Sequence, residues 1–317
     1  MDARSSEAGG TLVALSNDLA GAVERGGRAL VAVNARPRTP SSGVYWREGM
    51  VVTADHTVKR DEEITVTLPD GQTVPATLAG RDPSTDVAVL AVEAAAWPPA
   101  EIGDASSLKV GHLVLAVGRR ERSDQGEQGS LSASLGVIST LGGPWRTWRG
   151  GQIDRFIRVD LTVFLGFSGG PLVDASGRVV GINTTGLWRN VSLAIPASTV
   201  DRVARELLEK GHIARGYLGL GMQPVLFPDA LKRKLNLAGD AGMMVLAVEP
   251  GGPAERAGAL IGDVLVTLDD QAVSDFGDVG ALLGAERVGR AVSARVVRGG
   301  ALTELTITVG ERSSKEA

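Results

Sequence analysis

The chain has 317 residues, with 33 Lys and Arg against 37 Asp and Glu for a formal net charge of −4. No stretch of one sign is long enough for a nucleic-acid surface, and the absence of cysteine excludes disulfides and thiolate metal sites. The 42 glycines exceed the roughly 7% of an ordinary globular chain and aromatic residues make up only 4%, a balance that suits short strands joined by tight turns in two domains, or three if a double barrel is counted twice.

The first 27 residues form an N-terminal segment. Ser16-Asn17-Asp18 predicts the cap of a short helix with Leu15, Leu19 and Val23 on one face, ending at Gly26-Gly27. The plain use of such a helix is to cover the end of a barrel. Asp2, Glu7, Asp18 and Glu24 lie where a leader would need a basic start and a continuous apolar stretch. No run of about 18 apolar residues occurs, so no membrane span is expected. As written, the chain reads as cytoplasmic, with a periplasmic or other extracytoplasmic place as the alternative if a leader is missing.

From Ala29 the pattern turns to strands, over residues 30–33, 44–46, 50–53, 64–68, 74–78 and 87–92, with Pro69-Asp70-Gly71 as a hairpin turn. These make a first barrel, and Trp97-Pro98-Pro99 leads to a second over residues 113–117, 135–139, 156–159, 171–173, 179–183 and 192–195. Residues 119–129 read as a polar loop. Residues 28–197 are one domain on this reading, and 198–212 a linking helix opened by Ser198 and closed by Gly211. Val200, Val203, Ala204, Leu207 and Leu208 fall on one face of that helix.

Three short motifs carry chemistry. Val51-Val52-Thr53-Ala54-Asp55 delivers His56 at a strand end, and Asp82-Pro83-Ser84-Thr85 precedes Asp86 and an apolar strand. Gly166-Phe167-Ser168-Gly169-Gly170-Pro171-Leu172 sets a serine among three glycines. A hydroxyl attacks a carbonyl only when a base takes its proton, and that base needs a carboxylate to hold its tautomer. The order His56, Asp86, Ser168 is that of chymotrypsin, unlike subtilisins or α/β-hydrolases. Singly, each residue has a plainer use: a structural histidine, a turn-capping aspartate, a serine in a glycine-rich bend. Together, in order, with His and Asp on one barrel and Ser on the other, they place a triad in the cleft between barrels. His112 and His212 have no such context.

The chain therefore resembles bacterial HtrA/Deg-type serine proteases with a C-terminal PDZ domain, whose histidine follows a Val-Thr-x-x run. In that family the aspartate lies in Asp-Pro-x-Thr-Asp-(aliphatic)-Ala and the serine in Gly-Asn-Ser-Gly-Gly-Pro-Leu. The resemblance implies a mainly β fold, with a chymotrypsin-like double barrel followed by a PDZ domain over residues 213–311 and a frayed tail over 312–317. It implies His56 as base, Asp86 as its orienting carboxylate, Ser168 as nucleophile, and the backbone N–H groups of Gly166 and Ser168 as the oxyanion hole. A homotrimer to which the N-terminal helix of residues 1–27 contributes, unfolded polypeptide substrates and cleavage after small or medium aliphatic residues follow from it too, with no cofactor and no metal. Thr162 stands six residues before the serine, where an Asp would select Lys or Arg, and Leu193 and Ile195 are candidate pocket walls.

Tyr217-Leu218-Gly219-Leu220, the Pro-Gly-Gly-Pro-Ala run at 250–254 and Gly262-Asp263-Val264-Leu265 succeed one another as in bacterial PDZ domains. The first would be a loop whose backbone N–H groups cup a peptide C-terminus. A helix over about residues 275–285 would flank the groove, with Val279, Leu282 and Leu283 as walls. Phe164-Leu165-Gly166-Phe167 departs from the family's Asn-Pro-Gly-Asn, and it predicts a serine loop that rests with its amides misdirected until substrate or trimer contacts order it. With no nucleotide-binding loop, the reading is an ATP-independent serine endopeptidase acting on unfolded or misfolded protein. The alternative is a catalytically silent peptide-binding scaffold or chaperone. An esterase with the same triad is disfavoured, because an appended peptide-binding domain would then lack purpose.

Overall fold

The structure is a computed structural model that describes residues 3–37, 39–93, 97–119, 131–147, 149–188, 191–213 and 215–311. Beyond Arg119, the loop expected over 119–129 lies outside the described residues, as does the tail expected over 312–317. The chain divides into two compact units, Met1–Thr147 with Gly151–His212, and Ile213–Ala317 with Trp148–Gly150.

Two closed barrels make the first unit. β1 (Leu30–Asn34), β2 (Ser41–Arg47), β3 (Met50–Thr53), β4 (Ile64–Thr67), β5 (Thr73–Asp82) and β6 (Val87–Val92) close in the order β1-β2-β3-β6-β5-β4. In the second, β7 (Leu113–Arg119) and β8 (Leu131–Leu141) are followed by the short pair β9 (Trp145–Arg146) and β10 (Gln152–Ile153). Then come β11 (Ile157–Asp160), β12 (Pro171–Asp174), β13 (Val179–Thr184) and β14 (Leu193–Pro196), closing as β11-β14-β13-β12-β7-β8. β5 and β8 run longer than their apolar segments suggest. Half-exposed Thr, Ser and Ala continue the pairing there, and a register shift in β5 between Leu78 and Gly80 bends the strand round the barrel.

The N-terminal helix is not short: α1 runs unbroken over Ala3–Gly27, and Ser16-Asn17-Asp18 lies inside it rather than capping it. Its C-terminal turns dock on the second barrel. A Cβ on Gly26 would stand 2.6 Å from Val173 Cγ1, and Arg25 Nε donates to the Ser176 carbonyl at 2.8 Å. Leu12, Val13 and Leu15, further up the helix, are exposed, so Leu15 does not share a buried face with Ala22. The second helix, α2 (Ala197–Lys210), begins at Pro196 and has no side-chain cap from Ser198. Thr199 instead accepts the Asp154 N–H at 2.9 Å, tying the helix to the barrel. Val200, Val203, Ala204 and Leu207 are buried as the periodicity demands, whereas Leu208 is exposed; Gly211 ends the helix at φ 75°.

The second unit is a six-stranded sheet. β15 (Gly216–Tyr217) pairs with the last strand, β16 (Leu220–Leu226) is followed by α3 (Asp229–Leu235) and β17 (Ala241–Val248), and α4 (Pro253–Arg256) precedes β18 (Val264–Leu268) and β19 (Gln271–Ala272). α5 (Phe276–Leu282) then leads to β20 (Ala291–Arg298), β21 (Ala301–Thr308) and β22 (Gly310–Glu311), and the main sheet order is β16-β17-β18-β20-β21. α5 starts where expected, because Asp275 and Asp278 form a reciprocal capping box. It stops short of residue 285, since Leu283 leaves helical torsions and gives its carbonyl to the Gly216 N–H.

The buried carboxylate of Asp263 is held by Arg298 through two contacts of 2.8 and 2.7 Å and by the Leu260 N–H at 2.8 Å. The Arg298 hydrogen bonds keep this carboxyl below its usual range. A lowered carboxyl stabilises the fold above the unfolded-state pKa and ceases to as pH falls through the folded value. Arg298→Ala is expected to destabilise this unit by about 2 kcal/mol at neutral pH, because it strands a buried charge. Thermal melts of the two proteins at pH 7 and below pH 4 should show the gap narrowing in acid.

Candidate active site

β3 ends at Thr53, and the chain turns through a short 3₁₀ segment, Asp55–Thr57, that presents His56. Asp86 arrives from a tight turn on the far side of β5. Asp82 builds that turn: one carboxylate oxygen accepts the Ser84 N–H at 3.1 Å and the Ser84 hydroxyl at 2.5 Å, and the other accepts the Thr85 hydroxyl at 2.6 Å. This explains why Asp-Pro-Ser-Thr precedes the functional residue. Asp86 itself sits at φ 59°, a left-handed conformation that Asp adopts more readily than branched residues do.

The two residues lock together. His56 Nδ1 lies 3.0 and 2.9 Å from the two Asp86 oxygens, and the His56 backbone N–H donates to Oδ1 at 2.8 Å. Asp86 is buried, while the imidazole keeps a third of its surface open. The carboxylate therefore fixes a tautomer with the proton on Nδ1 and leaves Nε2 as the base. Thr184, at the end of β13, donates its hydroxyl to Asp86 Oδ2, and its Oγ1 accepts the Gly186 N–H at 2.9 Å.

Ser168 comes from the other barrel and is 7% exposed. The preceding turn is closed by the Phe167 N–H on the Phe164 carbonyl at 2.9 Å, with Gly166 at φ 92°, the torsion a type II turn requires. The Phe167 ring is buried over Gly118, where a Cβ would lie 2.7 Å from its Cγ, and meets Phe164 edge-on at 5.4 Å. The departure from the family's Asn thus supplies an apolar peg under the loop. The Gly166 carbonyl turns onto Ser42, and the N–H groups of Gly166 and Ser168 donate to nothing among the described residues. Ser168 Oγ meets Thr185 Oγ1 at 3.3 Å and makes no hydrogen bond to His56.

Gly169 and Gly186 let the parts close. A Cβ on Gly169, which has φ 85°, would collide with Ser42, Thr53 and the Ala54 N–H at 2.7 Å, and one on Gly186 would stand 2.6 Å from His56 Nδ1. The expected pocket walls fare differently. Leu193 is 2% exposed and Ile195 not at all, because β14 is covered inside the barrel and by α2, so neither offers surface to a substrate; Thr162 is exposed. Thr184 and Gly186 flank the His–Asp pair instead, and Trp188, further along the same segment, is exposed. Thr-Thr-Gly directly after a buried strand was the signal available for them.

In the second unit, Leu218, Val279 and Leu283 are buried in one apolar cluster against which Leu220 and Leu282 pack. Tyr217 lies in β15, and Gly219 takes φ 77°. The Leu218 and Gly219 carbonyls accept the N–H groups of Ala254 and Glu249 at 2.8 and 2.9 Å, so the loop is pinned from behind.

A third carboxylate, Asp55, lies beside the pair. It is buried, and Arg81 binds its Oδ1 at 2.5 Å while reaching the Asp55 and Val58 carbonyls. Burial pushes the Asp55 carboxyl up despite the guanidinium. Arg81→Ala is expected to cost about 3 kcal/mol at pH 7, since breaking a buried pair strands the charge. Without the arginine the carboxyl rises further, so folding favours its protonated form and stability recovers as pH falls through the raised value. Denaturant melts from pH 8 to 5 should show the deficit shrinking toward acid.

A trypsin-like peptidase domain is matched over residues 41–182 and a PDZ domain over 216–309. The chain is 35% identical over 280 residues to a probable periplasmic serine endoprotease, DegP-like, of Halomonas elongata, covering 86% of this chain and 57% of that protein. It is 34% identical over 297 residues to one of Pseudomonas fulva, covering 88% and 60%. The chain thus spans somewhat more than half the length of these curated relatives. Among solved structures, the HtrA-type protease AlgW with decapeptide is similar at TM-score 0.71 and 30% identity, covering 93% of this chain and 99% of that one. A serine endoprotease from Yersinia pestis gives TM-score 0.71 at 27% identity, covering 93% and 98%.

Proposed function

The chain belongs to the HtrA-type serine proteases with a PDZ domain, and from that premise we propose that it is an ATP-independent endopeptidase that cleaves unfolded or misfolded polypeptides. The observation that carries the reading is the Asp86 carboxylate on His56 Nδ1, which leaves Nε2 as base on the barrel facing the Ser168 loop. In this mechanism a χ1 rotation takes the Ser168 hydroxyl from Thr185 to Nε2. Oγ then attacks the peptide carbonyl as its proton passes to His56. Asp86 stabilises the imidazolium, which next protonates the leaving amine, and water releases the acyl group by the reverse sequence. The Gly166 and Ser168 amides receive the oxyanion, and one such donor is typically worth about 3 to 4 kcal/mol of barrier.

Tyr217, Leu218, Gly219 and Leu220, facing Val279, Leu282 and Leu283, would take a peptide C-terminus, the chain adding to the edge of β16. The periplasm is the compartment this reading adopts in place of the cytoplasm, because the relatives are named periplasmic. A homotrimer fits the exposed Leu12, Val13 and Leu15 of α1.

Incubation with unfolded casein should give progressive fragments from the wild type and none from Ser168→Ala or His56→Ala, read on gels without ATP. Intact casein in all three, with each protein folded, would refute the endopeptidase. An apolar peptide with a free C-terminus should bind the protein at least about tenfold more tightly than its C-terminal amide, as capture by backbone N–H groups requires. Equal affinities in fluorescence polarisation would remove the carboxylate-binding role.

A further inference from the structure

Ser42 belongs to none of the motifs that carry chemistry in the sequence, yet it is fully buried where the two barrels meet. Its backbone N–H and its hydroxyl both donate to one oxygen, the carbonyl of Gly166, at 2.9 and 2.7 Å. The hydroxyl oxygen accepts the Arg119 N–H, from the end of β7, at 3.1 Å. A hydroxyl has a single proton, so the bond received from Arg119 occupies a lone pair and leaves that proton aimed at Gly166. The Ser42 carbonyl accepts the Thr53 hydroxyl at 2.7 Å, three residues before His56. One residue, by its side chain and its backbone, thus ties the histidine strand, the end of β7 and the serine loop to a common point.

What it holds there matters more than the number of bonds. Glycine has more accessible torsions than any other residue, and Gly166, at φ 92°, carries one of the two N–H groups that would receive an oxyanion and, through its carbonyl, begins the peptide that leads to the other. Its carbonyl has two lone pairs, and Ser42 fills both. Rotating the peptide that follows Gly166 would break two buried hydrogen bonds at once. We infer that Ser42 is the positioning residue of the oxyanion site, its hydroxyl holding the Gly166 carbonyl so that the N–H groups of Gly166 and Ser168, one on each side of that peptide, stay directed at the substrate carbonyl. This rests on the proposed role of the Gly166 and Ser168 amides and extends it to a residue more than a hundred positions away.

Ser42→Ala in the full chain removes the hydroxyl and keeps the backbone bond. On a fluorogenic peptide, kcat is expected to fall about tenfold with KM within about twofold, a fraction of the 10²–10³ lost when an oxyanion donor is itself removed. Hydrogen exchange read by mass spectrometry should quicken in the peptide covering residues 164–170 and at Arg119, whose N–H loses its acceptor, and stay unchanged elsewhere. Unaltered exchange there, or unaltered kcat, overturns the inference, and so does faster exchange throughout the barrels, which would mark a merely structural role. A wild type without turnover would refute the protease reading instead, and exchange over 164–170 would then decide the positioning role alone. If the alanine variant does not fold, Ser42→Cys, a weaker donor in the same place, replaces it. An intermediate kcat supports the role and a wild-type kcat contradicts it.

Discussion

Two closed barrels must approach each other more tightly than side chains allow before a hydroxyl on one can serve an imidazole on the other. The rest of the first unit depends on that constraint. At Gly169 the serine loop lies against Ser42, Thr53 and Ala54 of the first barrel, and at Gly186 the second barrel's chain lies against the His56 ring. Any Cβ at either point would force the barrels apart. Hydrogen bonds then fill the seam left by the missing side chains: Ser42 to Gly166, Thr184 to Asp86, and Thr147 Oγ1 to the Ser84 carbonyl at 2.7 Å. The same contacts that hold the barrels together also orient the functional groups, so stability and geometry are set by one set of atoms.

A second constraint is electrostatic. Asp55, Asp82 and Asp86 are all buried in the first barrel, on the two turns that carry His56 and Asp86. Three like charges in low dielectric repel unless each has its own donors. Asp82 is satisfied by Ser84 and Thr85, Asp55 by Arg81, and Asp86 by His56 and Thr184. Arg81 also grips the Asp55 and Val58 carbonyls, which bracket the turn carrying His56. The His56 ring and N–H are thereby held by one carboxylate, and the turn that carries them by an arginine.

The double barrel and the PDZ unit were legible because their strands and turns are written in contiguous residues, and the pairing of His56 with Asp86 because each stands in a short motif of the family the chain resembles. Alternating apolar positions mark strands, and the Asp-Pro-Ser-Thr turn aims the residue that follows it. Ser42, Thr184 and Arg81 were not legible. Their partners lie 124, 98 and 26 residues away, and a buried Ser or Thr looks like any other until the fold brings its acceptor. Phe167 stood out as a departure, but only the bare backbone of Gly118 beneath it explains how an aromatic ring fits there. Leu193 and Ile195 illustrate the opposite error, since position along a strand does not say whether both its faces are covered. α1 runs on through Ser16-Asn17-Asp18 because residues that favour caps are tolerated inside an exposed helix, where they compete with nothing buried.

The central claim is that a serine nucleophile, its base and an oxyanion site come together on one face of the first unit. Labelling with a fluorophosphonate probe tests it most directly, since the phosphonate reacts only with an activated serine whose developing oxyanion is received. The purified protein and Ser168→Ala would be compared by mass spectrometry, each with and without unfolded casein. The account predicts one adduct on Ser168 in the wild type, without casein or on its addition, and none in the variant. A folded wild type that stays unlabelled under both conditions would contradict it.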